Sequence, residues 1–308
     1  MSIKEDWILF IEGLQNRICT ALEKSDGKAK FIEDEWKREE GGGGKTRVIA
    51  NGNVFEKGGV NTSSVFGEVS DAMKTQLKID GSKWFACGLS LVLHPVNPFV
   101  PTVHCNYRMF ELYNDKDEVI DRWFGGGTDL TPYYLFREDA IHFHQIYKNV
   151  CDEFGPAFYP TFKKDCDNYF VNTHRNNERR GIGGIFYDNQ RPTENHDVNF
   201  WINFGKACGN AFIPSYLPIV EKRKNCSFTA GNKHWQEIRR GRYTEFNLIH
   251  DRGTLFGLKT NGRTESILMS LPPSVRFEYD YHPKPGSEED ELLQVCLDPK
   301  DWVDISNI

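Results

Sequence analysis

Apolar positions recur with helical spacing at the start of the chain, where Trp7, Ile11, Leu14, Ile18 and Leu22 fall on one face. The pattern predicts a helix over residues 2–24, with Ser2 and Glu5 as a capping box and Gly27 as its stop signal. An acidic stretch predicts a second helix over residues 29–39. The period then shortens towards alternation, predicting strands over 46–55, 84–94, 102–112 and 121–126, with a short one over 183–187. Helical patterns return over 138–154, 160–172, 200–220 and 288–297, the third broken near Pro214 and Pro218. Residues 235–249 carry a weaker pattern, and 264–271 opens as either a strand or a helix cap. Strands and helices mix without regular βαβ alternation or internal repeats. That predicts an α+β fold with a largely antiparallel sheet. No Pro/Ser-rich or charged linker interrupts residues 1–308, so one domain is expected.

The strands flanking Pro95–Pro101 carry unusual chemistry. Alternation places Ser90 and His94 on one face of the first strand, and His104, Asn106 and Arg108 on one face of the second. A hairpin symmetric about Phe99 would set His94 opposite His104 and Ser90 opposite Arg108. One side would then present a hydroxyl, two imidazoles, an amide and a guanidinium. Such a face packs poorly as core and suits an active site.

Charge narrows the function. Lys and Arg number 38 against 44 Asp and Glu, a net charge of -6, which disfavours nucleic acid as a partner. The eight cysteines are scattered without a Cys-x-x-Cys pair, so they read as reduced, packed thiols. No apolar run approaches membrane-spanning length. The N-terminus has no apolar signal core, and Glu5, Asp6 and Glu12 disfavour a transit peptide, so a cytoplasmic location is expected. Gly41–Gly44 before Lys45 and Thr46 resembles a phosphate loop, but that motif needs a glycine where Glu39 stands. A flexible loop is the expectation there.

Other polar groups could join the hairpin. Asp129 follows Gly125, Gly126 and Gly127, where it could act as a base, orient a histidine or cap a turn. His144 flanks the apolar stripe of the 138–154 helix and can look inward. With His94, His104 and His174 it offers imidazoles to a divalent metal, although no His-Glu-x-x-His spacing is present. Arginines stand repeatedly beside glycines: Arg175, Arg179-Arg180-Gly181, Arg239-Arg240-Gly241-Arg242, Arg252-Gly253 and Gly262-Arg263. Forked guanidinium groups on close backbone suit a polyanionic ligand.

The segments Gly58–Asn61, Ser90–Arg108, Trp123–Tyr134, Lys164–Asp188 and Tyr243–Pro273 together resemble the oxygen-dependent coproporphyrinogen III oxidases of haem biosynthesis. The resemblance runs from about residue 43 to 281. It implies a flat antiparallel sheet between helical layers, in a homodimer whose contact region matches residues 243–278. It also implies that two propionates of coproporphyrinogen III become vinyls, with dioxygen as co-substrate and release of two CO2. By matching position, Ser90, Asn106, Tyr107, Arg108, Asn261, Gly262 and Arg263 are implied substrate contacts, and His104 a proton donor. Arg175, Arg180, Asp129 and Asp251 sit on motif positions tied to activity. His94, His104, His144 and His174 match a divalent-metal set of some bacterial relatives. The stretch His174–Gly181 is one residue longer than the family motif, so Arg179 and Arg180 compete for one role.

No flavin or nicotinamide fingerprint is present, so the expectation is that no organic cofactor serves and that the macrocycle itself supplies electrons. Asp129 or Asp251 would act on a pyrrole N–H, and His104 would manage protons. A histidine–metal hydrolase and a non-catalytic tetrapyrrole carrier are the alternative readings.

Overall fold

Ser2 opens helix α1 (Ile3–Asp26): its hydroxyl accepts the Glu5 N–H, and the Glu5 carboxylate accepts the Ser2 N–H. Gly27, at φ 74°, closes the helix in the left-handed conformation. This computed structural model describes residues 2–259 and 262–303, apart from the side chains of Ala72 and Gln76. After α1 come β1 (Ile32–Lys37), β2 (Gly42–Ala50), β3 (Phe55–Glu68), α2 (Asp71–Leu77), β4 (Lys83–Pro95), β5 (Thr102–Tyr113) and β6 (Val119–Thr131). Helices α3 (Arg137–Phe154) and α4 (Phe158–Tyr169) follow. The small pair β7 (Val171–Asn172) and β8 (Glu178–Arg179) then leads to β9 (Gly183–Gln190). The rest is helical: α5 (Val198–Asn210), α6 (Phe212–Arg223), α7 (Ala230–Glu245), a π-helical turn (Phe246–His250), α8 (Arg252–Lys259), α9 (Thr264–Leu268) and α10 (Glu288–Leu297).

Seven strands form one antiparallel sheet in the order β1-β2-β3-β4-β5-β6-β9. This is the predicted α+β architecture. Its two faces differ sharply because side chains alternate. Leu89, Leu91, Leu93, Val103, Cys105, Tyr107 and Met109 are buried on the back face. There α1 packs, its Trp7 indole N–H donating to the Cys87 carbonyl at 3.2 Å. The front face carries Ser90, Asn106 and Arg108, all half-buried.

The hairpin register departs from the symmetric expectation by two residues. Val92 pairs with His104, Ser90 with Asn106 and Gly88 with Arg108. Asn97 sets this turn: its Oδ1 accepts the Phe99 N–H at 2.9 Å, and its carbonyl accepts the Val100 N–H at 3.1 Å. An even shift leaves every side chain on its expected face. The polar face therefore survives although its cross-strand partners change.

Four expected elements differ. The strand expected over 46–55 is broken, since β2 ends at Ala50 and β3 begins at Phe55. Residues 29–39 hold no helix; β1 is an edge strand whose backbone bonds to β2 and whose Trp36 indole donates to Thr46 Oγ1 at 3.2 Å. Charge density there resembled a helix face, and non-local pairing overrode it. Gly42–Gly44 are strand rather than loop. A Cβ on Gly44 would lie 2.2 Å from the Thr62 carbonyl and 2.6 Å from the Trp36 ring, so neighbouring strands leave no room for a side chain. The helical pattern of 200–220 breaks at Ala211, not at the prolines. Pro214 falls in the first turn of α6, where its missing N–H costs nothing. Pro218 withholds a donor from the Pro214 carbonyl, and His142 Nε2 supplies one at 3.0 Å.

Asp26 ties α1 to the β2–β3 turn by accepting N–H groups of Ala29, Val54 and Phe55 at 2.8, 2.8 and 2.9 Å. Burial alone would raise its pKa, but these donors and the Asn53 N–H outweigh burial and hold it below the ordinary carboxyl value. A depressed pKa contributes stability above the unfolded value of about 3.9, lost as pH falls through the folded value. Asp26→Asn should therefore lower unfolding free energy by roughly 2 kcal/mol at pH 7. Urea titrations should show this gap shrinking at about pH 3.

Candidate active site

Two rows of front-face residues cross the sheet. One runs Gly59–Val92–His104–Asp129–Gly184, the other Thr46–Asn61–Ser90–Asn106–Gly127–Phe186. The segment α8–α9 covers them. Ser266 bonds Thr46 (Oγ to Oγ, 2.8 Å) and accepts from Asn61 Nδ2 at its carbonyl, 3.0 Å. Met269 rests on Gly59, where any Cβ would collide with its sulfur. Phe256 packs against the cluster of Met73, Ile79, Leu112 and Trp123 at the far end of the face.

Beneath this cover lies a buried charge relay. Asp129 accepts from Arg180 Nη2 at both oxygens, 2.9 and 2.8 Å, and holds His104 Nδ1 at 2.8 Å. Arg180 also donates to Asn247 Oδ1 at 2.8 Å, and its guanidinium lies 4.2 Å from the Phe170 ring centre and 4.6 Å from that of Tyr243. Burial would raise the Asp129 pKa, but the Arg180 charge and the His104 hydrogen bond overcome it and hold the carboxyl ionised. An ionised Asp129 accepts the Nδ1 proton and fixes the tautomer, leaving His104 Nε2 as the working nitrogen. Both Asp129 oxygens are thus engaged by protein groups.

Asp251 is engaged as well. It accepts the Tyr169 hydroxyl at 2.9 Å and caps α8 through the Thr254 N–H and hydroxyl, both 2.8 Å. Of the two candidate bases, one orients a histidine and the other begins a helix.

The four histidines do not form a metal site. His94 donates Nε2–H to the Ser270 carbonyl at 2.8 Å and accepts from Thr102 at Nδ1, 3.2 Å. His144 donates to the Ile182 carbonyl at 3.1 Å and accepts from Tyr159 at 2.9 Å, beside α4. Burial pushes both imidazoles down to about 3, so they stay neutral with both nitrogens used. His174 pairs with His250 at 2.7 Å and with Glu245 at 3.1 Å. Among the described residues no three His, Cys, Asp or Glu side chains are grouped to hold a metal ion. Spacing could not reveal this, since ring nitrogens are spent by partners distant in sequence.

The arginines sort into two sets. Arg180, Arg239 and Arg240 are buried against Asp129, Glu178 and Glu56. Arg179 donates to the Leu297 carbonyl at 2.9 Å, while Arg175 and Arg242 both hold Glu245. These brace the fold, which corrects the expectation that the glycine-flanked arginines together grip a ligand. Three others border the front face. Arg108 lies flat over Gly125, bonded to Asn106 and Asp188 at 2.7 Å each, and Arg252 reaches Asp188 at 3.4 Å. Arg263 pairs with Asp34 and with Ser266 Oγ at 3.1 Å.

Two expected contacts change. Tyr107 turns to the back face, where its hydroxyl bonds Thr128 and donates to the Cys208 carbonyl at 3.1 Å. Odd and even positions of β5 point opposite ways, so its side chain cannot join Asn106 and Arg108. Gly262 donates its N–H to the Gly257 carbonyl at 2.7 Å and closes α8; Asn261 lies outside the described residues. Sequence reading passed over Asp188, Glu245, Asn247 and His250. Asp188 alone had a local signal, an acid on the front-facing side of β9.

Removing one partner of a buried ion pair strands the other's charge. Arg180→Met should destabilise the protein by about 3–5 kcal/mol, whereas Arg263→Met, whose pair is exposed, should cost less than about 1 kcal/mol. Chemical denaturation of both variants measures the contrast.

Comparison with known proteins bears on this arrangement. The family model for coproporphyrinogen III oxidase matches residues 7–302. Coproporphyrinogen-III oxidase 1, chloroplastic, of Arabidopsis thaliana is 50% identical over 312 residues, covering 98% of this chain and 80% of its own. The oxygen-dependent coproporphyrinogen-III oxidase, chloroplastic, of Glycine max is 51% identical with the same coverage, and that of Hordeum vulgare 50% identical over 318 residues. The chloroplastic relatives overturn the cytoplasmic expectation. The fold, the front-face chemistry and these matches agree: the chain belongs to the coproporphyrinogen III oxidase family.

Proposed function

We propose that this protein is an oxygen-dependent coproporphyrinogen III oxidase, converting two substrate propionates to vinyl groups in porphyrin and haem biosynthesis. The observation that carries the reading is the front face itself. A floor with glycines at positions 88, 125 and 127 lies between the His104–Asp129–Arg180 relay and a rim of Arg108, Arg252 and Arg263. A macrocycle bearing four carboxylates suits that surface. Rim guanidinium groups pair with carboxylates, and their present acidic partners are exchanged for the substrate's.

Electron counting sets what the residues must do. Each propionate loses CO2 and a hydride equivalent from its β-carbon; dioxygen takes the two electrons and, with two protons, becomes hydrogen peroxide. One proton comes from the substrate, so one more must be delivered at the reacting oxygen. In this reading His104 Nε2 makes that transfer, with Asp129 stabilising the imidazolium when it forms. Arg108 orients a propionate. The macrocycle is electron-rich enough to be the reductant, so the reading calls for no organic cofactor. No step is routed through a metal, because the histidine set does not fit one.

A second copy of the chain fits the surface opened by residues 243–278. Leu248, Ile249, Leu258, Val275 and Phe277 are exposed there, an apolar set that a soluble surface seldom shows unpartnered. The homodimer implied by the resemblance would cover it.

The decisive assay follows oxygen uptake and vinyl products. Coproporphyrinogen III in air should consume two O2 per protoporphyrinogen formed, and argon should stop the reaction. His104→Gln should lower kcat by about 10²–10⁴-fold with KM little changed. Arg108→Ala should chiefly raise KM. Full activity in the His104 variant would refute its role. Sedimentation of Ile249→Asp combined with Phe277→Asp should show a monomer where the unaltered protein is a dimer.

A further inference from the structure

Asn61 stands in the middle of the polar row, between Thr46 and Ser90 and one strand further from Asn106. Its amide orientation is fixed by partner chemistry. Nδ2 donates to the Ser266 carbonyl at 3.0 Å, and only nitrogen can do so. Oδ1 must therefore point the other way, where it is shut off from solvent and accepts no hydrogen bond. A buried carbonyl without a donor is rare in folded proteins and calls for a partner.

Its surroundings define that partner. Asp129 and Asp251 each take three hydrogen bonds from protein donors, which tie one to Arg180 and His104 and the other to Tyr169 and Thr254. Asn61 Oδ1 is a buried front-face acceptor with no donor among the described residues, at the strand position paired with Ser90. It is neutral, so it can accept a hydrogen bond without adding charge beside a substrate that already carries four carboxylates. We propose that Asn61 Oδ1 accepts a pyrrole N–H of the bound porphyrinogen and so selects the reduced macrocycle over its oxidised porphyrin. This rests on the proposed function and deepens it.

The selectivity follows from ring chemistry. A porphyrinogen has four tetrahedral bridging carbons, so its pyrroles tilt and can present N–H groups to one face. A porphyrin is flat and aromatic, with its two N–H groups turned into the ring centre, where a side chain on the floor cannot reach them. Both carry the same propionates and meet the same arginine rim. Only the reduced ring can satisfy Asn61. The same amide binds Ser266 of the cover, so the acceptor is held in place by closure of α9 over the row.

The test measures two affinities, both under argon so that nothing is turned over. Coproporphyrin III is titrated by fluorescence, and coproporphyrinogen III is titrated by its displacement. Asn61→Ala should weaken coproporphyrinogen binding roughly tenfold while coproporphyrin binding changes by less than about twofold. Asn61→Asp keeps an acceptor but cannot donate to Ser266; it should weaken both ligands together and preserve the preference for the reduced ring. Equal losses for both ligands in the alanine variant, or no loss, would overturn the proposal, as would an aspartate variant without the preference. The aspartate result decides the matter if the alanine variant does not fold. Failure of the unaltered protein to bind coproporphyrinogen at all would instead remove the proposed function.

Discussion

The pairing of Arg180 with Asp129 is the contact on which the site depends. A guanidinium and a carboxylate removed from water each lose several kcal/mol of hydration, and only close two-point geometry offsets that loss. Here the carboxylate takes two bonds from one nitrogen of Arg180, while aromatic rings stack on the guanidinium faces. Because Asp129 is thereby held ionised, its remaining attraction is spent on His104 Nδ1. One buried pair thus sets the tautomer and aim of the imidazole, and does so before any ligand arrives.

The same logic explains why polar side chains can crowd one side of a sheet without unfolding it. The back face supplies the apolar burial: β4 and β5 place Leu, Val, Cys and Tyr against α1 and its neighbours. The front face is stabilised instead by specific partners on α9 and the residues after it, which meet Thr46, Asn61, Lys57 and His94 one by one. Such a cover contributes few apolar contacts and many directional ones, which suits a segment that must admit a large ring. Gly59 matters here because Met269 can seat only where no side chain stands.

Much of this was legible in the residues. The β4–β5 hairpin was read correctly because alternation is a local property, and a two-residue error of register preserves parity. Helix α1 carried a capping box and an apolar stripe, and α3 a stripe, neither of which needs tertiary context. Other readings failed for definite physical reasons. Residues 32–37 follow no core stripe, so their pairing with β2 is dictated by the neighbouring strand. The break between α5 and α6 falls at Ala211, because one proline lies in a first turn and His142 satisfies the carbonyl that the other leaves bare.

From residues alone came the fold class, the family and the facing of Ser90, Asn106, His104 and Arg108, since period and motif are written along the chain. Which arginines border the front face, whether four imidazoles share an ion, and what each aspartate bonds were decided only by the folded arrangement. Each of those questions turns on hydrogen bonds between positions tens to hundreds of residues apart. Linear spacing carries no record of which lone pairs such distant partners have already taken.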